Sequence, residues 1–220
     1  MNSVLERVRK VCERVREKNT SSMSFKKLVS NTRREFKIQD IDLSIKIKKD
    51  NFLDDSHFYI IAFYDPENDC QNETPIEVVV YHNFNSDEQF KQSHTTEFLI
   101  QIFDAVVHEL RHQQQSRSRY HQTFSDHATH PYSKYLADPD ELDAYAFSIA
   151  IELLRAMPVA RITKYMTKLT VLSKMKKHDM FISPALHSYV LHFYNNPLLH
   201  RLSKKVFKHL IVIDTRQIFQ

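Results

Sequence analysis

Within Val106-Val107-His108-Glu109-Leu110-Arg111-His112, two histidines stand four residues apart and a glutamate follows the first. On a helix, positions i and i+4 share a face with their β-carbons about 5–6 Å apart, so both imidazoles can reach one zinc ion. Glu109 then meets the fourth, water-filled coordination position and can take the water's proton. The chemistry this spacing points to is metal-assisted hydrolysis. Shuffling this composition would give HExxH roughly 4 times in 100, so the surrounding chain must decide whether the pattern is a site.

The elements that would position it can be read from periodicity. A helix from Thr95 or Thr96 to about Arg117 buries Leu99, Ile102, Phe103, Val106 and Leu110 against a sheet and leaves His108 and His112 on an adjacent face. Asp104, four residues before His108, is either a solvated helix-face carboxylate or a hydrogen-bond partner of a ligand imidazole. Upstream, Ile41, Leu43, Ile45 and Ile47 alternate with polar residues, and His57–Tyr64 and Ile76–Tyr81 are strand-like runs. This predicts a sheet of about three strands whose short links favour antiparallel pairing of neighbours. Two helices precede the sheet: Val4, Val8, Val11 and Val15 form one stripe, and Ser24 caps a second carrying Phe25, Leu28, Val29 and Phe36.

After the histidines, residues 118–137 are polar and aromatic without periodicity, a loop able to wall the site. Asp138-Pro139-Asp140-Glu141 starts the next helix, with Asp138 as N-cap, Pro139 at the first helical position and Glu141 closing a capping box. That helix carries Leu142, Tyr145, Ile149 and Leu153 and stops near Met157-Pro158. Further helices are expected from Val159 to about Lys176, from Pro184 to Tyr194 and from Pro197 to about Ile213. The expected fold is α+β: a small, mostly antiparallel sheet packed on the HExxH helix and a second, Glu-bearing helix, with additional N- and C-terminal helices. Residues 1–37 form a helical segment, 38–157 the core and 158–220 a basic helical segment packed on it.

Composition removes competing chemistries. The chain has no Gly, which excludes a P-loop, a GxGxxG dinucleotide loop and a GxSxG nucleophile elbow, and leaves Asn and Asp to supply positive φ. Cys12 and Cys70 are isolated, so neither a disulfide framework nor a CxxC metal site is present. No apolar run approaches the 18–20 residues of a membrane span and the first residues are charged, so a cytoplasmic protein is expected. The net charge of +4 divides into +7 over residues 1–34, −12 over 35–158 and +9 over 159–220. Basic ends of this kind either pack back on the acidic centre, stay solvated, or meet nucleic acid.

A catalytic zinc takes three protein ligands. The metzincin answer, HExxHxxGxxH, is excluded because Gln115 and Ser118 stand where its Gly and third His belong. Glu141-Leu142-Asp143-Ala144 resembles the ExxA element of the gluzincins, and the run from Glu141 to Ser148 is similar to the E-x-E-A-x-x-F-A segment of the ImmA/IrrE family of small bacterial and phage metallopeptidases. The resemblance covers roughly Ile41 to Met157. It implies that Zn2+ is held by His108, His112 and Glu141, that Glu109 is the base, and that an extended peptide or protein substrate adds to the sheet beside Ile76–Tyr81. Tyr145, one turn after Glu141, is the candidate for stabilising the oxyanion, with Tyr120, Tyr132 and His130 as alternatives. Glu141 could instead serve only as a cap. A loop histidine (His121, His127 or His130) in its place would resemble the SprT-type proteases that act at DNA. The expected function is that of a zinc metallopeptidase, with a non-catalytic nucleic-acid- or partner-binding protein as the contrasting expectation.

Overall fold

The computed structural model describes residues 2–19, 22–54, 57–85, 87–120, 132–169, 182–193 and 196–220, and is α+β. The chain divides into two compact units, residues 1–121 with 219–220, and residues 122–218.

The first unit opens with helix α1 (Asn2–Glu17), whose stripe of Leu5, Val8, Val11, Cys12 and Val15 is fully buried. The short strand β1 (Ser22–Ser24) leads into α2 (Phe25–Ile38), where the Ser24 hydroxyl accepts from the Lys27 N–H. Three strands follow, β2 (Ser44–Lys49), β3 (Phe58–Tyr64) and β4 (Ile76–His82), with the short helix α3 (Pro66–Cys70) between the last two. The strand β5 (Gln89–Lys91) pairs antiparallel with β1, a two-stranded ribbon that the periodicity did not reveal. Three residues are too few for an alternation to register.

The sheet order is β2-β4-β3. β3 and β4 pair antiparallel as neighbours, from Phe58↔His82 to Tyr64↔Ile76. β2 departs from the expected pairing, running parallel to β4 from Ser44↔Glu77 to Lys49↔His82. The central place goes to the strand that is apolar on both faces: Ile76, Val78, Val79 and Val80 are all buried. β2 carries Lys46, Lys48 and Lys49, all exposed, and such a strand is stable only at an edge. The expectation that β4 offers a free edge to substrate is therefore corrected: both its edges are occupied.

Helix α4 (Gln92–Ser118) packs on β3 and β4. It begins three or four residues before the expected Thr95 or Thr96. Its first half seats Phe98 in a cluster of rings with Phe25, Phe58, Phe84 and Phe90, and the second half carries the two histidines. Positive φ falls on Asp40 and Asn72, as expected without Gly, and also on Tyr120, just past the end of α4.

The second unit is helical among its described residues. Helices α5 (Tyr132–Ala137) and α6 (Pro139–Ala156) are followed by α7 (Val159–Leu169), α8 (Pro184–His192) and α9 (Pro197–Val212). α6 is its centre, burying Leu142, Ala144, Phe147, Ile149, Ile151 and Leu153 around its circumference. α9 packs on it through Leu198, Leu202, Val206 and Leu210. Lys205 and His209 of α9 reach the Asp143 carboxylate at 3.0 and 3.2 Å. The expected extension of α7 to Lys176, the end of α8 at Tyr194 and most of the loop before Tyr132 lie outside the described residues. Among the described residues no helix is long and apolar enough to cross a membrane.

Candidate metal centre

His108 and His112 lie half-buried on α4, one turn apart, because the neighbouring face of Ile102, Phe103, Val106 and Leu110 is committed to the core. Their Nε2 atoms are 3.1 Å apart, with ring centroids at 4.8 Å and planes crossing at 73°. Two imidazole nitrogens bound at about 2.0–2.1 Å to one tetrahedral zinc are about 3.3–3.4 Å apart, so this pair is within a few tenths of an ångström of a chelating geometry.

The other ring nitrogen of His112, Nδ1, lies 3.1 Å from the Gln115 Oε1 atom. An amide oxygen only accepts, so Nδ1 carries the proton and Nε2 presents its lone pair, the tautomer a metal ligand needs. In that tautomer the contact between the two Nε2 atoms is a hydrogen bond donated by His108.

Glu141 sits in the first turn of α6 and is buried. Asp138 is the N-cap and accepts from the Asp140 N–H at 2.8 Å. The Asp138 N–H donates to the Tyr135 carbonyl at 3.0 Å. The helix start is as expected, with Asp138 as N-cap and Pro139 at the first helical position. His108, His112 and Glu141 offer ligand atoms that all lie within 4.8 Å of one another, and this group could hold a metal ion. Two imidazoles and a carboxylate, with no fourth member among the described residues, match the donor set of metal sites that keep one position open.

Glu109, beside His108, is buried. Tyr145 is half-buried, its ring edge-on to Tyr189 at 5.2 Å. Asp104 is half-buried on α4. Tyr120 is 90% exposed, and Tyr132 is exposed with its ring against His192 at 4.9 Å. His121, His127 and His130 lie outside the described residues.

One anchoring residue escaped the sequence reading. Asp69 sits within a run that looks like a plain turn, but Asp65 caps α3, accepting from the Glu67 and Asn68 N–H groups, and the helix turns Asp69 inward. Its carboxylate accepts from Arg117 Nε and Nη2 at 2.9 and 2.7 Å, from Gln113 Nε2 at 3.0 Å and from the Tyr64 hydroxyl at 3.0 Å. Burial raises the Asp69 carboxyl, but these hydrogen bonds and the Arg117 charge outweigh it and hold the group below its ordinary value. Burial also pushes the Tyr64 phenol up to about 12. Gln113 and Arg117 flank His112 and Gln115, so this cluster fixes the rotation of the helical turns that present His112. Its signal in the sequence was the i, i+4 spacing of Gln113 and Arg117, which names a helix face but not its partner.

Comparison of the chain with protein-family models, curated proteins and solved structures gives no match.

Proposed function

We propose that the protein is a zinc-dependent metallopeptidase of the gluzincin type, similar to the small ImmA/IrrE-like enzymes, acting on an intracellular peptide or protein. The observation that carries this reading is the convergence of the His108 and His112 Nε2 atoms at 3.1 Å in a group completed by Glu141. His108, His112 and Glu141 would hold the zinc, with Gln115 fixing the His112 tautomer. When bound, zinc supplies a Lewis acid that lowers the pKa of a coordinated water to about 7 and polarises a peptide carbonyl. Glu109 accepts the proton of the attacking water and returns it to the leaving amine. Its position next to His108 on α4 favours that role. Tyr145 donates its hydroxyl to the developing oxyanion.

The substrate strand moves from β4 to β3. β3 ends the sheet, packs on α4, and presents an outer edge without a Lys or Pro to protect it, whereas β2 is guarded by its lysines. An extended substrate pairing there would lie over the helix that bears the histidines.

The test is cleavage of a quenched-fluorescent peptide library by zinc-loaded protein beside Glu109→Gln. Cleavage by the parent chain, with a loss of at least 10²-fold in the variant at unchanged zinc content, is expected. Equal proteolysis by the two proteins would sink the assignment.

A further inference from the structure

The two basic ends of the chain are put to different uses. In the N-terminal end, every Lys and Arg of residues 1–34 except Lys26 and Lys27 has an intramolecular partner among the described residues. Arg7 donates to the Gln39 and Asp40 carbonyls, and Arg9 and Lys10 pair with Glu13 and Glu6 on their own helix. Arg14, Lys18 and Arg34 surround the buried Glu35. Arg16 covers the Phe219 ring and donates to the Gln220 carbonyl, and Arg33 donates to the Ile45 carbonyl. These cations are spent on the fold.

Helix α9 divides its cations. Lys205 and His209 turn inward to Asp143. Arg201, Lys204 and Lys208 are exposed, and among the described residues no carboxylate pairs with them. At 100° per residue Pro197, His200, Arg201, Lys204, Lys208 and Ile211 fall within one arc of about 100°, and all six are exposed. From His200 to Lys208 the stripe runs about 12 Å along the axis. The 16 residues of α9 contain no Asp or Glu. Arg201/Lys204 and Lys204/Lys208 are like charges at i, i+3 and i, i+4, and Arg201 stands near the positive end of the helix dipole. Each arrangement opposes the helix, so the stripe contributes nothing to the fold that carries it.

We infer that the outer face of α9 is a docking surface for the phosphate backbone of duplex nucleic acid. A duplex presents one negative charge per about 1.7 Å of axis, a density that a straight row of cations can meet along its length. The outer surface of a single helix is a cylinder without a groove for an acidic peptide, and the arc carries no Phe, Tyr or Trp, which leaves His200 as its one aromatic ring against a run of unpaired bases. A bilayer would recruit the apolar side of such a helix, and that side is buried on α6 through Leu198, Leu202, Val206 and Leu210. Recognition is electrostatic and independent of sequence.

The test is fluorescence anisotropy of the full chain with a labelled random-sequence DNA duplex between 50 and 200 mM salt. Three phosphate contacts give a slope of about −2.7 in log K against log salt, or about 40-fold weaker binding across that range. Arg201→Gln/Lys204→Gln/Lys208→Gln, all at exposed positions, should keep the far-UV circular dichroism spectrum and lose at least 10-fold in affinity at 50 mM salt together with most of the slope. Lys26→Gln/Lys27→Gln should bind as the parent does. Absence of binding by the parent chain, an unchanged slope in the triple variant, or capture by phosphatidylserine vesicles in place of the duplex would each overturn the inference.

Discussion

Gln115 accepts from the Nδ1 atom of His112 at 3.1 Å, and this one contact decides which nitrogen of His112 faces His108. Gln115→Leu removes the acceptor while keeping a helix-favouring side chain of similar size. Both tautomers then become open to His112, and zinc affinity, read by competition with a chromophoric chelator, should fall about 10- to 100-fold with little change in melting temperature. Unaltered affinity would leave Gln115 without a role at the site.

Asp69 ties α3 and β3 to the last turns of α4. Asp69→Ala leaves Arg117, Gln113 and Tyr64 without their shared acceptor and should cost about 1–3 kcal/mol of stability by urea unfolding.

The same cluster sets a pH window. The Asp69 carboxyl is held below its ordinary 3.8, so its contribution is complete above that value and is lost as pH falls through the lowered one. Tyr64 is displaced upward from 10.0 to about 12, so its contribution is complete below 10 and is lost as pH rises toward 12. Unfolding free energy of the parent minus that of Asp69→Asn, measured from pH 2.5 to 7, should shrink on the acidic side; a difference constant over that range would remove Asp69 as the titrating group.

The Tyr145 ring is accounted for by its edge-on contact with Tyr189. Tyr145→Phe keeps that contact and removes the hydroxyl alone. With the role proposed for it, kcat should drop about 10²- to 10³-fold while KM and the melting temperature stay near those of the parent. An unchanged kcat would make Tyr145 a packing residue.

What could be read in the chain followed from the range over which each signal acts. The helix bearing the histidines, the capped start at Asp138 and Pro139, and the strands around Ile45, Ile60 and Val79 are written in spacings of two to four residues, and the structure has all of them. The position of β2 could not be read that way. Its pairing with β4 reflects competition between whole strands for the centre of the sheet, won by the apolar strand over the lysine-bearing one. Asp69 was hidden for the related reason that its partners Gln113 and Arg117 lie more than 40 residues away. At Glu141, cap and ligand use the same residue at the same place, so local spacing alone does not separate the two roles. The charge of the two ends was visible in the sequence, but not that one end is consumed by the fold while α9 keeps a stripe facing outward.

The central claim is that Glu141 joins His108 and His112 around one zinc ion. Metal content by inductively coupled plasma mass spectrometry, after dialysis of the parent chain, Glu141→Ala and His130→Ala, tests it most directly. One zinc per chain in the parent and in His130→Ala, with loss from Glu141→Ala, is the expected result. A parent chain without zinc, or zinc kept by Glu141→Ala and lost from His130→Ala, would contradict it.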